Sequence, residues 1–165
     1  MRSSIILVLL CACDPADVSG TVHDAQVIPE PDALACEGSC KTTALNATFM
    51  ASRTLDVAYY GTNTDLTLHL EAYKGAAAGC PTMNSPTPDY TLILARINME
   101  HTSPASFIDF KGDMLPSVQP VSATAVTLTP VTFDATFIAY DVMLTFDAGT
   151  ISGHLYATHC DSLDE

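Results

Sequence analysis

The chain is poor in positive charge, has no tryptophan and contains no hydrophobic run long enough to span a bilayer. Six Lys and Arg residues stand against nineteen Asp and Glu residues, so the formal net charge is −13. Such a surface repels nucleic acids and anionic lipid headgroups, and we expect neither as a direct partner. The unbroken apolar run at residues 5–10 is far shorter than the ~20 residues of a transmembrane helix.

Charged residues of both signs are scarce as well. They make up 15% of the chain, whereas apolar residues make up 48%, which excludes a disordered polyanion and a coiled coil. A chain of 165 residues with this composition has enough apolar material for about one packed domain. We therefore expect a single folded domain with one core.

The amino-terminal residues have the pattern of an export signal. A positive charge precedes the apolar run and small residues follow it, which is typical of a secretory signal peptide. The sequence Leu10-Cys11-Ala12-Cys13 resembles the lipobox of bacterial lipoproteins, with Cys11 as a departure from the usual residue at its position. The resemblance implies that residues 1–12 are removed and that Cys13 is acylated. An ordinary signal peptide without lipidation is the alternative.

The same resemblance implies where the mature protein is located. It would be exported and held by its lipid in the bacterial cell envelope, at either the inner or the outer membrane. Residues 13–35 contain three prolines and five acidic residues without sustained periodicity, which is typical of a flexible tether. The folded domain is expected to span residues 36–165.

A period of two residues dominates this domain. Alternation of apolar and polar side chains is typical of strands with one buried face. The alternating apolar residues are Leu45, Ala47 and Phe49, then Leu55, Val57 and Tyr59, then Leu66, Leu68, Leu70 and Ala72. The third segment puts His69 and Glu71 on the face exposed to solvent. Residues 90–97 are apolar on both faces, which indicates a more central strand.

The second half of the domain also favours strands. Threonine and valine dominate residues 121–133, where Pro130 is expected to divide two strands. A change of phase predicts a β-bulge or corner near Ile138 or Ala139, and residues 147–150 predict a hairpin turn into a last strand. About eight strands and no convincing helix predict an all-β fold, an antiparallel β-sandwich with a small β-barrel as the alternative.

Four cysteines fall inside the predicted domain. An even number of cysteines in an exported domain predicts two disulfides. Of the three connectivities that four cysteines allow, we favour Cys36 with Cys40 and Cys80 with Cys160. Free or zinc-bound thiols are the alternative.

No familiar catalytic motif occurs in the sequence. The G-x-S-x-G elbow, the H-E-x-x-H helix, the phosphate loop and calcium-loop spacing are all missing. His154, His159 and Asp161 are candidate metal ligands, and Asp164 and Glu165 follow them as further members of the same possible metal or acid-base cluster. Residues five apart on a strand point to opposite faces, however, so the two imidazoles should not converge. We therefore assign no metal site, no cofactor and no catalytic residue.

Several loops and exposed side chains remain as candidates for binding. The Pro-rich connection at residues 79–90 is the first candidate for a recognition surface, because loops on a rigid scaffold often carry function; a plain rigid connector is the alternative. Calcium is a further hypothesis for loop residues that are more simply explained as turns, namely Asn63, Asp65, Asp109 and Asp113. Without tryptophan, the aromatic candidates for a sugar-binding surface are Tyr60, Tyr73 and Tyr156.

Two functions of different classes remain. The first is a non-enzymatic lipoprotein that binds a protein or a small ligand at the cell envelope, which the lack of a catalytic motif favours. The second is an envelope hydrolase or metal-dependent enzyme that uses the carboxyl-terminal His and Asp residues.

Overall fold

The computed structural model describes residues 36–75 and 79–165, and strands dominate this part of the chain. The strands are β1 (Ala44–Thr48), β2 (Ser52–Leu55), β3 (Val57–Thr62), β4 (Leu68–Lys74), β5 (Tyr90–Ile97), β6 (Ala105–Asp109), β7 (Val121–Ser122), β8 (Ala125–Phe133), β9 (Phe137–Phe146) and β10 (Gly149–His159). Two short 3₁₀ turns, Gly38–Lys41 and Asp161–Leu163, are the helical segments of these residues. The predicted all-β class is thus confirmed, with ten strands instead of about eight.

Neither of these short helical segments has the length and apolar character that crossing a bilayer requires.

The ten strands belong to one curled sheet. Its order is β2-β1-β10-β3-β4-β5-β6-β7, while β9 pairs with the other side of β10 and β8 pairs with β9. All pairings are antiparallel except one short parallel contact, in which Thr158 and His159 of β10 lie beside Tyr59 and Tyr60 of β3. This contact exists because β10 has eleven residues and β1 pairs with only the first half of it.

The sheet curls into a half-barrel around one core. A sandwich of two separate sheets is not confirmed, because the described strands form a single hydrogen-bonded sheet; the small barrel is compatible with this arrangement. Alternate residues of the strands point into the curl, as a period of two requires. The largest fully buried side chains are Tyr90, Tyr140, Phe107, Leu45, Leu55, Leu70, Leu92, Leu94, Ile97, Met114, Leu144 and Ile151.

The predicted alternation fails at two places in the first half of the domain. Leu66, expected to share the buried face of Leu68 and Leu70, lies before β4 and is 84% exposed. The other place is β3. Leu55 is buried as expected, but Ala58 and Tyr60 enter the core where Val57 and Tyr59 were expected to do so. The reason is a break at Asp56, whose backbone N–H donates to the carbonyl of Tyr73 and separates β2 from β3. The break shifts the phase by one residue and places Tyr59 on the outer face.

Two predictions about the second half are also wrong in detail. Pro130 does not divide two strands but lies inside β8, where the register shifts between Pro130 and Thr132. Proline is tolerated there because β8 is an edge strand in the described sheet and needs no donor on its open side. The phase change near Ile138 comes from a hairpin turn at residues 134–136, since β9 pairs with β10 without interruption.

Candidate functional site

The outer face of strands β3 to β6 carries a groove of about 330 Å³. The Pro-rich loop, which occupies residues 79–89 because Tyr90 already begins β5, lies over this groove. The strands contribute the side chains of Tyr59, Glu71, Tyr73, Thr91, Ile93 and Ile108. The groove therefore lies at the connection that the sequence singled out, and its floor is the outer face of the sheet.

The first part of the Pro-rich loop is tied to the carboxyl-terminal segment. Cys80 forms a disulfide with Cys160, with 5.6 Å between their Cα atoms. Two residues further along this segment, the Ser162 hydroxyl donates a hydrogen bond to the carbonyl of Pro81. Residues 80 and 81 are consequently held by the segment that follows β10.

Further hydrogen bonds tie both ends of the loop to the sheet. The N–H of Gly79 donates to the hydroxyl of Tyr59 at 3.0 Å, and the N–H of Asp89 donates to the carbonyl of Lys74 at 2.8 Å. A loop tied at both ends has few conformations available, so the groove is largely formed before any ligand arrives.

The middle of the loop is stiffened by its own residues. Ser85 and Thr82 form a turn, in which the N–H of Thr82 donates to the Ser85 hydroxyl and the N–H of Ser85 donates to the Thr82 carbonyl, each at 2.9 Å. Three prolines at positions 81, 86 and 88 each fix one backbone dihedral angle. These restraints favour a rigid cover over a mobile one.

Two side chains at the floor of the groove, those of Glu71 and Tyr73, belong to a chain of hydrogen bonds that continues to His69 outside the lining. His69, Glu71 and Tyr73 project from the same face of β4 because they are two residues apart. The Nε2 atom of His69 lies 2.9 Å from one carboxylate oxygen of Glu71, and the hydroxyl of Tyr73 donates to the other oxygen. Tyr73 is only 5% exposed, so the predicted solvation of this face of β4 is wrong. The sequence correctly placed Tyr73 in a strand, but it did not predict that other segments would bury this residue.

These hydrogen bonds act on the protonation of all three groups. Burial raises the pKa of Glu71, but the hydrogen bonds from His69 and Tyr73 outweigh this effect, so its pKa is below the usual value. The hydrogen bond to Glu71 raises the pKa of His69 despite its partial burial. Burial, followed by the bond to Glu71, raises the pKa of Tyr73 well above that of a free phenol. Glu71 is therefore a carboxylate at neutral pH.

The groove is lined by an ionised carboxylate, aromatic residues and residues with hydroxyl groups. The aromatic rings of Tyr59 and Tyr73 lie 6.4 Å apart at a tilted angle, and Phe110 lies at the edge with 46% of its surface exposed. Of the tyrosines that were candidates for exposed aromatics, Tyr60 is buried in the core and Tyr156 stacks on Phe137 away from the groove. The sequence analysis did not identify Tyr59 as a groove residue, because it placed Val57 and Tyr59 on the buried face of β3 in place of Ala58 and Tyr60.

The chain matches no family model, and no curated protein or solved structure matches it. What bears on function is therefore the geometry of its own residues.

A second group of polar residues lies at the carboxyl terminus, where His159, Asp161 and Asp164 form a carboxyl-terminal cluster. One potential ligand atom from each of these residues lies within 4.8 Å of the others. The ring of His159 contacts Asp164 at 3.1 Å and Asp161 at 3.4 Å, so the imidazole already has two carboxylate partners. The structure thus brings together His159, Asp161 and Asp164 of the residues considered for such a cluster.

Another candidate, His154, lies apart from this cluster. Its Nδ1 atom lies 2.9 Å from a carboxylate oxygen of Asp141, and its Nε2 atom lies 2.9 Å from the carbonyl oxygen of Cys40. The ring therefore links β9 and β10 to the short disulfide turn formed by Cys36 and Cys40. The two imidazoles do not converge, as the strand spacing indicated.

Both disulfides have the pairing that the sequence analysis favoured. Cys36 is bonded to Cys40 and Cys80 to Cys160. Cys13, the residue predicted to carry the lipid, lies outside the described residues, as do the signal peptide and the tether. Their assignment stays a prediction.

The acidic loop residues considered for calcium have protein partners. The carboxylate of Asp109 is fully buried and accepts hydrogen bonds from three backbone N–H groups, those of Gly112, Met114 and Leu115. Asp113 accepts hydrogen bonds from Arg53 and Tyr90, both at 2.6 Å. Asp65 accepts from the backbone N–H and hydroxyl of Thr67. These hydrogen bonds are typical of turns. They agree with the simpler explanation of these residues as turn residues instead of calcium ligands.

Proposed function

We propose that the protein is a lipid-anchored, non-enzymatic binding module of the bacterial cell envelope, built on a disulfide-stabilised β-sandwich or small β-barrel. A small ligand would occupy the groove beneath the Pro-rich loop. The observation that carries this proposal is a preformed concave site whose cover is tied down by the Cys80–Cys160 disulfide. Sites that are formed in advance lose less conformational entropy on binding, which favours ligand recognition.

The anchor part of the proposal rests on the lipobox-like residues. Acyl chains on Cys13 would contribute ~0.8 kcal/mol for each buried methylene, so several chains would hold the mature protein at a membrane. Residues 14–35 would then act as a tether of a few tens of Å. Metabolic labelling with a fatty acid should mark the native chain and leave the Cys13→Ser variant unlabelled. Labelling that survives this substitution would overturn the assignment.

The binding part is tested with three small probes of similar shape. These are 2-phenylethylammonium, 2-phenylethanol and phenylacetate, which carry positive, zero and negative charge. We expect at least one of them to shift the backbone NMR signals of the Pro-rich loop and of Ile93 in the isotope-labelled full chain, solubilised in detergent. If none of the three does so at millimolar concentration, the groove is not a small-ligand site.

A pair of tryptophan variants controls for binding elsewhere. Ile108→Trp fills the groove and should abolish the shifts, because Ile108 lines its floor. Thr127→Trp places the same ring on the exposed outer side of β8 and should leave the shifts intact. Shifts that persist in Ile108→Trp would show that the probes bind at another place.

A second candidate function is a metal-dependent activity at the carboxyl-terminal cluster. The observation that favours it is the approach of one imidazole and two carboxylates, a donor set that transition metals accept. Elemental analysis of protein purified without chelators tests it directly. A stoichiometric transition metal that is lost in His159→Gln would favour this candidate, whereas metal-free protein would leave only the binding module.

A further inference from the structure

We infer that the groove binds a small organic cation, specifically a primary ammonium group attached to an apolar or aromatic body. This inference rests on the proposed binding function and specifies the chemistry of its ligand. The ammonium would lie against the carboxylate of Glu71, and the body would lie along the outer face of β5 and β6 beneath the Pro-rich loop.

The charge of the groove favours a cation. Among the described residues that line it, Glu71 is the one whose side chain carries a formal charge at neutral pH, and no lysine or arginine is part of this lining. The side chain of Glu71 is 19% exposed, so water screens its charge only in part. An anionic ligand would have to place its charge beside this carboxylate. A cationic ligand would gain from the same proximity.

The carboxylate also has acceptor capacity left. Each oxygen can accept about two hydrogen bonds, and in the structure one oxygen contacts the His69 ring and the other accepts from Tyr73. At a pH above its raised pKa, His69 is neutral and gives the carboxylate a hydrogen bond but no charge. An ammonium group brings three donors and a full positive charge, which suits the remaining lone pairs.

The surroundings of the carboxylate suit the rest of such a ligand. The faces of aromatic rings attract cations, and Tyr59 and Tyr73 both line the site next to Glu71. Further along, Ile93, Ile108 and the exposed ring of Phe110 form an apolar surface under the prolines of the loop. A polar head at one end and an apolar body at the other match this division. The net charge of −13 on the whole chain also attracts cations from solution.

The test compares probes that differ in charge but little in shape. Isothermal titration calorimetry on the detergent-solubilised full chain should show tighter binding of 2-phenylethylammonium than of 2-phenylethanol, by about tenfold, which corresponds to ~1.4 kcal/mol. Phenylacetate should bind more weakly than either. The cation preference should decline as salt is raised, because part of the attraction is electrostatic.

A matched pair of variants assigns the preference to one residue. Glu71→Gln keeps the shape and the hydrogen bond from Tyr73 but removes the charge, so it should bring the ammonium and the alcohol to similar affinities. Glu100→Gln makes the same chemical change in the exposed β5–β6 connection and should leave the tenfold preference unchanged. Because the comparison of probes on the native chain needs no variant, the inference can be tested even if Glu71→Gln fails to fold.

The outcomes separate this inference from the proposed function. If the alcohol, phenylacetate or a neutral sugar such as methyl β-D-glucopyranoside binds in the groove more tightly than the ammonium, the cation inference is wrong and the binding function stands. A cation preference that survives in Glu71→Gln places the ammonium elsewhere and also overturns the inference. If no probe binds, both proposals fail together.

Discussion

The ring nitrogen Nε2 of His69 lies 2.9 Å from a carboxylate oxygen of Glu71 on the same strand. Residues two apart on a strand share a face, but on an open face such a pair is solvated and contributes little. Here the side chains are only 17% and 19% exposed. The pair therefore has consequences for stability and for its dependence on pH.

We expect His69 to make stability depend on pH. Its pKa in the folded state is raised by the bond to Glu71, whereas the unfolded value is about 6.5. The stabilisation is complete below the unfolded pKa and is lost as the pH rises through the folded pKa. Urea unfolding of the native chain and His69→Gln should therefore differ more at pH 6 than at pH 9. A difference that is independent of pH would contradict this.

The carboxylate sets the lower limit of the same window. The pKa of Glu71 is lowered overall in the folded state, so its contribution is present above the unfolded pKa and is lost as the pH falls through the folded value. The pair should therefore stabilise most between the unfolded pKa values of about 4.3 for Glu and 6.5 for His. NMR titration of the His69 ring checks the direction independently, and a pKa at or below 6.5 would rule it out.

The two disulfides should differ in their effect on stability. The Cys80–Cys160 bond closes a loop with a sequence separation of 80, and the Cys36–Cys40 bond one with a separation of 4. Chain entropy predicts a loss of about 4 to 5 kcal/mol when the first is removed and about 2 kcal/mol for the second. Denaturant unfolding of the two double Cys→Ser variants measures both. Equal losses would show that loop entropy is not the main effect.

Gly61 should be required by the carboxyl-terminal segment. A Cβ atom at this position would lie 2.2 Å from the backbone carbonyl carbon of Leu163, which is far inside van der Waals contact. Gly61→Ala should therefore displace residues 161–165 and lower the free energy of unfolding by about 1 kcal/mol or more. In a chain that ends at Cys160 the same substitution should cost much less. If Gly61→Ala lowered the free energy of unfolding equally in both chains, the clash would not be with residues 161–165.

Asp109 should be essential to the turn that follows β6. Its buried carboxylate accepts three backbone N–H bonds, and an unsatisfied buried donor costs roughly 1 to 3 kcal/mol. Asp109→Ala should accordingly reduce the free energy of unfolding by about 3 kcal/mol or more. Asp134→Ala, at an exposed turn that holds Thr136, is the matched control and should cost far less. Similar losses in chemical denaturation would contradict this role.

Sequence periodicity predicted some elements of the fold well and others poorly, for an identifiable reason. Alternation placed Leu45 and Ala47 in the core, and the doubly apolar residues 90–97 form a strand with neighbours on both sides. It failed at residues 56–60 and 134–139, where the chain leaves one strand and begins another after a short break. A break of one to three residues changes the phase without changing the composition. Periodicity alone cannot distinguish it from a bulge.

The sequence by itself determined that the domain is all-β, that its formal net charge is −13, and that one face of β4 carries His69, Glu71 and Tyr73. These properties depend on composition and on a spacing of two residues, which are local. Only the tertiary structure decided that this face is covered. The cover over Glu71 and Tyr73 comes from the Pro-rich loop, which a disulfide joins to a residue 80 positions further along the chain. A polar face that looks solvated in the sequence becomes the floor of a groove because burial is set by contacts between distant segments.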